Sequence, residues 1–97
     1  MFSDITVLIY GKEGCGYCTL SKKLCEENKI NYTYRTLDKD FTIEELYNIK
    51  PFKTFPQIFY NGIGIGGYTD LKRKIDEKKK WITSYTFVAL LLGIFYQ

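Results

Sequence analysis

The sequence predicts an α/β domain in which helices flank a mixed four-stranded sheet in the order β-α-β-α-β-β-α, with an added apolar C-terminal segment. Three observations support this prediction. An apolar, β-branched run lies near the start, helical spacing follows it, and a later Asn-Gly dipeptide separates two short apolar runs. Because 97 residues form one modest core, we place one domain at 1–81 and the extension at 82–97.

The first half of the chain has the pattern of a β-α-β unit. Residues 5–10 are nearly all apolar, as in a central strand that is covered on both faces. Between 15 and 28, apolar residues recur at spacings of three and four, which predicts a helix. The residues on this predicted face are Tyr17, Leu20 and Leu24. A strand over 31–37 follows, and the helical connection favours a parallel neighbour.

The second half supplies the remaining elements. Asp40 or Thr42 is positioned to cap a short helix that ends before residue 51. Strands at 57–60 and 63–65 flank the Asn-Gly dipeptide, which favours a tight hairpin turn. Residues 69–80 contain helix formers and predict the last helix of the domain.

Composition excludes several classes of function. The formal charge is +3, and its basic residues gather at 72–80, where Asp76 and Glu77 interrupt them. This pattern is typical of a solvated helix face, so we expect no nucleic-acid partner. The chain has no histidine, which excludes a Ser-His-Asp triad, a Cys-His pair and a His-ligated metal.

The cysteine count indicates a reducing compartment. There are three cysteines, and residues 1–10 lack the basic leader and cleavage site of a secretory signal. We therefore expect a cytoplasmic protein. In that setting, a close cysteine pair is more often catalytic or metal-binding than a structural crosslink.

Cys15 and Cys18 form such a pair where the first loop turns into a helix. The free N–H groups and partial positive charge at a helix N-terminus stabilise a thiolate, so we predict Cys15 as the nucleophile. Cys18 lies one turn inside the helix and suits a resolving role. The alternatives are two unrelated core cysteines or a zinc site, which would need Cys25 or a second chain. We expect Cys25 to be an unpaired buried thiol.

Three patches together resemble glutaredoxins, the glutathione-using branch of the thioredoxin superfamily. They are Gly11-Lys12-Glu13-Gly14-Cys15-Gly16-Tyr17-Cys18, Thr54-Phe55-Pro56-Gln57-Ile58-Phe59 and Ile65-Gly66-Gly67-Tyr68-Thr69-Asp70-Leu71. The match spans roughly residues 5 to 81 in order. It implies a thioredoxin-like fold and thiol-disulfide exchange, with glutathione as co-substrate and disulfide or glutathionylated proteins as partners.

The resemblance also implies a glutathione site. Pro56 would follow a cis peptide bond and present the backbone of Phe55, a position where the family usually has valine. Thr69 and Asp70 would hold the γ-glutamyl end. Lys12, assisted by Lys53, would pair with the glycine carboxylate. The remaining members of the implied set are Tyr17 beside the sulfur, then Thr54, Gly67 and Tyr68.

Two other functions stay open at this point. Gly16 replaces the proline common between the paired cysteines, and some relatives without that proline bridge two subunits with a [2Fe-2S] cluster held by the first cysteine and glutathione. Otherwise we expect a monomer and no metal. The other alternative is a hydrogen donor reduced by thioredoxin reductase, which would not need Lys12 or the Thr69-Asp70 pocket.

The C-terminal run lies beyond the resemblance. Residues 81–97 contain no charge and number 17, close to the shortest length that spans a bilayer. Either a helix packed on the domain or a membrane tail anchor fits this pattern. We favour the packed helix slightly, because Thr83, Ser84 and Thr86 dilute the first turns.

Overall fold

The structure, a computed structural model, describes residues 4–79. Its elements are β1 (Thr6–Gly11), α1 (Gly16–Glu27), β2 (Asn31–Thr36), α2 (Ile43–Ile49), β3 (Gln57–Tyr60), β4 (Ile63–Gly66) and a helix α3 over 68–79. The sheet has the order β2-β1-β3-β4. β1 is parallel to β2 and antiparallel to β3, and β3 and β4 form a hairpin. The predicted fold class is confirmed.

The apolar segment at 82–97 lies outside the described residues, and the domain boundary at 81 therefore stays a prediction. Among the helices within 4–79, none has the length and apolar character needed to cross a membrane.

The central strand β1 is covered on both faces, as predicted. Val7 and Ile9 are fully buried in the larger core cluster, which also includes Ile58 and Leu71. Tyr10 points to the opposite face, into a smaller cluster whose other buried members are Phe41 and Leu46. The larger cluster therefore holds α1 and α3 against one face of the sheet, and the smaller cluster holds α2 against the other.

The predicted buried face of α1 is wrong at two positions. Tyr17 is 61% exposed and Leu20 42% exposed, and the helix instead buries Cys18, Ser21 and Cys25. Small side chains let the helix pack closely on the sheet, and free cysteine is among the most buried residue types. The hydroxyl of Ser21 donates to the carbonyl oxygen of Tyr17 at 2.8 Å, so its burial leaves no unpaired polar atom.

Local capping chemistry sets the start of α2. The Thr42 hydroxyl accepts from the Glu45 N–H at 3.2 Å, and the Glu45 carboxylate accepts from the Thr42 N–H at 2.9 Å. This reciprocal pair is a capping box. Asp40 has a different role, because its carboxylate accepts from the Thr36 N–H at 2.7 Å. Thr42 is therefore the cap of the two candidates.

The hairpin between β3 and β4 turns at the predicted dipeptide. Asn61 and Gly62 have φ values of 50° and 85°, the positive angles of a type I′ turn. Element boundaries differ from the prediction by one residue in several places: β1 starts at Thr6 rather than 5, β4 extends to Gly66, and α3 starts at 68 rather than 69.

Candidate active site

Cys15 and Cys18 lie at the N-terminus of α1, joined by a disulfide with their Cα atoms 5.2 Å apart. Cys15 is the N-cap residue, and its sulfur accepts a hydrogen bond from the Cys18 N–H at 3.2 Å. Cys15 is half-buried, whereas Cys18 is fully buried. The N-terminal amides and the partial positive charge of α1 are therefore directed at the sulfur that solvent can reach.

The second patch forms a loop that turns into β3. The peptide bond between Phe55 and Pro56 is cis, as the resemblance implied. Gln57 follows, with a buried side chain whose amide nitrogen donates to the Thr54 carbonyl oxygen at 2.7 Å. This bond ties the loop to the start of β3. No role was predicted for Gln57, although a polar residue at the start of an otherwise apolar strand was an available signal.

The third patch joins β4 to α3. Gly66 has φ of +115°, and a Cβ on this residue would collide with the carboxylate of Asp70. That carboxylate accepts from the Gly67 N–H at 3.0 Å, and its other oxygen lies 3.3 Å from the Arg73 guanidinium. Glycine is thus required at position 66 for two reasons: φ is positive there, and a side chain would meet the Asp70 carboxylate. Arg73 had no role in the sequence analysis, and only its spacing of three from Asp70 on a helix could have indicated the contact.

The three patches converge on one groove of about 340 Å³. Its lining contains eight of the ten residues predicted for glutathione: Tyr17, Thr54, Phe55, Pro56, Gly67, Tyr68, Thr69 and Asp70. The rings of Tyr17 and Tyr68 have centroids 5.7 Å apart and form one wall. Because Tyr17 belongs to the first turn of α1, the groove opens beside the cysteine pair.

The two predicted lysines differ in position. The Lys12 ammonium lies 5.7 Å from the centroid of the Phe55 ring, at the margin of the groove. Lys53 is exposed and is not part of the groove lining. The structure therefore associates Lys12 with the groove and leaves Lys53 apart from it.

Cys25 is a buried thiol without a disulfide partner, as expected. Burial, with a smaller contribution from the charge of Glu26, raises its pKa to about 11. The described residues contain no group of three Cys, Asp or Glu side chains suited to a metal ion. A zinc site is not formed there, and a [2Fe-2S] cluster would need ligands in addition to Cys15.

A four-stranded sheet of this order, a cis-proline loop and a cysteine pair at the first helix define a thioredoxin-like protein with a disulfide-forming site. Comparison with protein families gives a match to the glutaredoxin model over residues 7–65. The chain belongs to the glutaredoxin family.

The relatives include human mitochondrial glutaredoxin-2, which is 40% identical over 82 residues, covering 79% of this chain and 49% of the relative. Glutaredoxin from Haemophilus influenzae is 38% identical over 80 residues, covering 74% and 92% respectively. The chain thus spans about half the length of the mitochondrial relatives that it matches. Because relatives with mitochondrial and bacterial names both match, the cytoplasmic location stays a prediction.

Solved structures support the same family. Glutaredoxin 1 from Francisella tularensis superposes with a TM-score of 0.65 at 33% identity, covering 78% of this chain and 98% of that one. A buckwheat glutaredoxin–glutathione complex gives a TM-score of 0.65 at 26% identity, covering 80% and 74%.

Proposed function

We propose that this chain is a glutathione-dependent thiol-disulfide oxidoreductase in which Cys15 attacks and Cys18 resolves. The observation that carries the proposal is the unequal burial of the two bonded cysteines at the start of α1, next to the groove. An attacking sulfur must reach the substrate, while a resolving thiol needs to reach only its neighbour. Membership of the glutaredoxin family supports the same class of reaction.

The first route reduces a glutathione mixed disulfide and uses Cys15 alone. The Cys15 thiolate attacks the glutathione sulfur, a new Cys15–glutathione disulfide forms, and the substrate leaves as a thiolate that takes a proton from water. A second glutathione thiolate then attacks the bound glutathione sulfur. Glutathione disulfide leaves, and Cys15 returns as a thiolate.

The second route reduces a protein disulfide and needs both cysteines. Cys15 attacks one substrate sulfur, which gives a mixed disulfide and a first substrate thiol. The Cys18 thiolate, formed by loss of its proton, then attacks the Cys15 sulfur and releases the second substrate thiol. The Cys15–Cys18 disulfide of this structure corresponds to the product. Two glutathione molecules would reduce it, yielding glutathione disulfide.

The groove suits glutathione chemically. The first N–H groups of α3 and the carboxylate of Asp70 would bind the γ-glutamyl carboxylate and ammonium. The backbone of Phe55 would pair with the extended peptide. Lys12 would pair with the glycine carboxylate, and Lys53 would assist from outside the groove. The buckwheat relative, named as a glutathione complex, supports this assignment by similarity.

The test is reduction of the mixed disulfide of β-mercaptoethanol and glutathione, coupled to glutathione reductase. We expect Cys15→Ser to abolish turnover and Cys18→Ser to retain it by the first route. Cys25→Ala is the matched control, because this buried thiol lies outside the site. Activity that survives in Cys15→Ser would contradict the assignment of the nucleophile.

The alternative functions have their own readouts. Brown protein with visible absorbance after anaerobic purification would support a [2Fe-2S] cluster in a dimer. Turnover with thioredoxin reductase, but none with glutathione and its reductase, would support the hydrogen-donor function. Either result, with an inactive native protein in the mixed-disulfide assay, would replace the proposal.

A further inference from the structure

We propose that the Phe55 side chain is a positioning residue that holds the Lys12 ammonium at the groove and so strengthens selection for a carboxylate on the ligand. This inference rests on the proposed function, because the carboxylate is that of the glycine end of glutathione. Phe55 would thus contribute through its ring as well as through its backbone.

The first support is the charge that lies over the ring. The Lys12 ammonium is 5.7 Å from the Phe55 ring centroid, within the range of a cation–π interaction. Lys12 is exposed, and none of the four ion pairs found within residues 4–79 involves it. Its charge is therefore not neutralised by a carboxylate of the described chain and stays available to an anion.

The second support is the packing of the ring itself. The Phe52 ring meets the Phe55 ring edge to face, with centroids 5.1 Å apart and an interplanar angle of 66°. The centroid of the Phe41 ring lies 6.3 Å from that of the Phe55 ring. Half-buried between these neighbours, the ring of Phe55 has few alternative orientations. A valine, the usual family residue here, would offer no aromatic face to Lys12.

The third support is that the backbone of Lys12 is also held. The Tyr34 hydroxyl donates to the Lys12 carbonyl oxygen at 3.4 Å. The Tyr34 ring packs where a Cβ on Gly11 would lie, and the Lys22 ammonium lies 4.3 Å from the centroid of that ring. Lys12 is thus restrained at its main chain by Tyr34 and at its ammonium by Phe55. Ordering a long side chain before binding reduces the entropy lost when the ligand arrives.

A pair of ligands isolates this effect. Glutathione carries the glycine carboxylate, whereas the glycine monoethyl ester of glutathione keeps the whole peptide but lacks the negative charge that Lys12 would contact. Weakening the hold on Lys12 should therefore raise KM for a glutathionyl substrate and leave KM unchanged for the corresponding substrate made with the glycine ester of glutathione. From the usual strength of exposed cation–π pairs, the rise should be about 2- to 5-fold.

The experiment compares Phe55→Leu, Phe55→Tyr, Lys12→Gln and the double variant Phe55→Leu/Lys12→Gln. Leucine keeps an apolar side chain without a π face, and tyrosine restores the face. We expect Phe55→Leu to raise KM rather than lower kcat, Phe55→Tyr to restore KM, and the double variant to match Lys12→Gln. Additive effects in the double variant, or an equal rise for both substrates, would overturn the inference.

A measurement on the free protein separates this inference from the proposed function. The ring of Phe55 should shift the Lys12 ε-CH₂ proton resonances upfield in the native protein and in Phe55→Tyr, and Phe55→Leu should remove that shift. No upfield shift in the native protein overturns the positioning role. A native protein that shows the shift but does not turn over glutathione substrates retains the contact and refutes the glutathione-dependent function.

Discussion

The carboxylate of Asp70 contacts both the backbone of Gly67 and the side chain of Arg73. One oxygen accepts from the Gly67 N–H at 3.0 Å, and the other lies 3.3 Å from the guanidinium. Asp70 also lines the groove. A helix cap needs only an oxygen acceptor, whereas the ammonium of a γ-glutamyl group is best bound by a negative charge. The capping role and the proposed binding role of Asp70 are therefore separable.

Asp70→Asn tests that separation, because it keeps an oxygen acceptor and removes the charge. We expect stability close to native and a rise of about tenfold in KM for a glutathione mixed disulfide, the scale of a lost charged hydrogen bond. Asp70→Ala should raise KM and also lose about 1 kcal/mol of stability with the hydrogen bond to the Gly67 N–H. Urea unfolding and steady-state kinetics measure the two effects. Equal KM for native and Asp70→Asn protein would remove Asp70 from the binding site.

Gly66→Ala should destabilise the junction of β4 and α3, because it changes the backbone conformation there. Residue 66 has φ of +115°, and the new Cβ would displace the Asp70 carboxylate. The strained backbone conformation costs about 1–3 kcal/mol, so we expect a Tm lower by roughly 4–24 °C for a domain of this size. Gly16→Ala is the control, since nothing lies within 4 Å of its Cβ and alanine favours a helix. A Gly66→Ala protein as stable as Gly16→Ala would contradict this account.

We expect Gln57 to stabilise the loop that precedes it and so to support the groove. Its amide nitrogen donates to the Thr54 carbonyl oxygen at 2.7 Å, and Gln57→Met keeps the length of the side chain without the donor. We expect a stability loss of about 1 kcal/mol and a higher KM, because Thr54 and Phe55 line the groove. The loss is measured by urea unfolding, and KM by the coupled assay. An unchanged KM with reduced stability would assign Gln57 a structural role alone.

The order of elements could be predicted because local chemistry encodes it. The Asn61-Gly62 turn and the Thr42 cap depend on residues that adjoin them, and both occur in the structure. The exposure of Tyr17 and Leu20 on α1 could not be predicted, because large apolar side chains dominate a helical pattern. How closely a helix can pack on a sheet depends on tertiary structure, and this chain uses Cys18 and Cys25 for that contact.

The candidate site was likewise predictable only in part. The residues that line the groove were predicted from three separate patches, and the parallel and antiparallel strands bring those patches together. The contact of Lys12 with Phe55 could not be predicted, and the contact of Arg73 with Asp70 was indicated only by their spacing of three on a helix. They join side chains whose rotamers are set by the folded neighbourhood. Sequence patterns therefore indicated where the groove lies, but not which charges are held at its margin.

The buried thiol of Cys25 should remain unreactive under conditions that modify Cys15. Burial raises the pKa of Cys25 to about 11, so very little thiolate exists near neutral pH, and reagents reach it only after unfolding. In reduced protein at pH 8, we expect iodoacetamide to modify Cys15 and leave Cys25 intact until urea is added. Peptide mass spectrometry measures both sites. Modification of Cys25 in the folded protein would show that the thiol is accessible.

The same pKa predicts how stability depends on pH. The ordinary value for a cysteine is 9.0 and the folded value about 11, so the folded state holds the proton more tightly than the unfolded state. The contribution of the buried, protonated Cys25 to the free energy of unfolding is complete below pH 9 and is lost as pH rises through 11. Native and Cys25→Ala proteins, both reduced, should therefore differ most in unfolding free energy at pH 7 and converge between pH 9 and 11. A difference that stays constant over this range would show that Cys25 keeps an ordinary pKa.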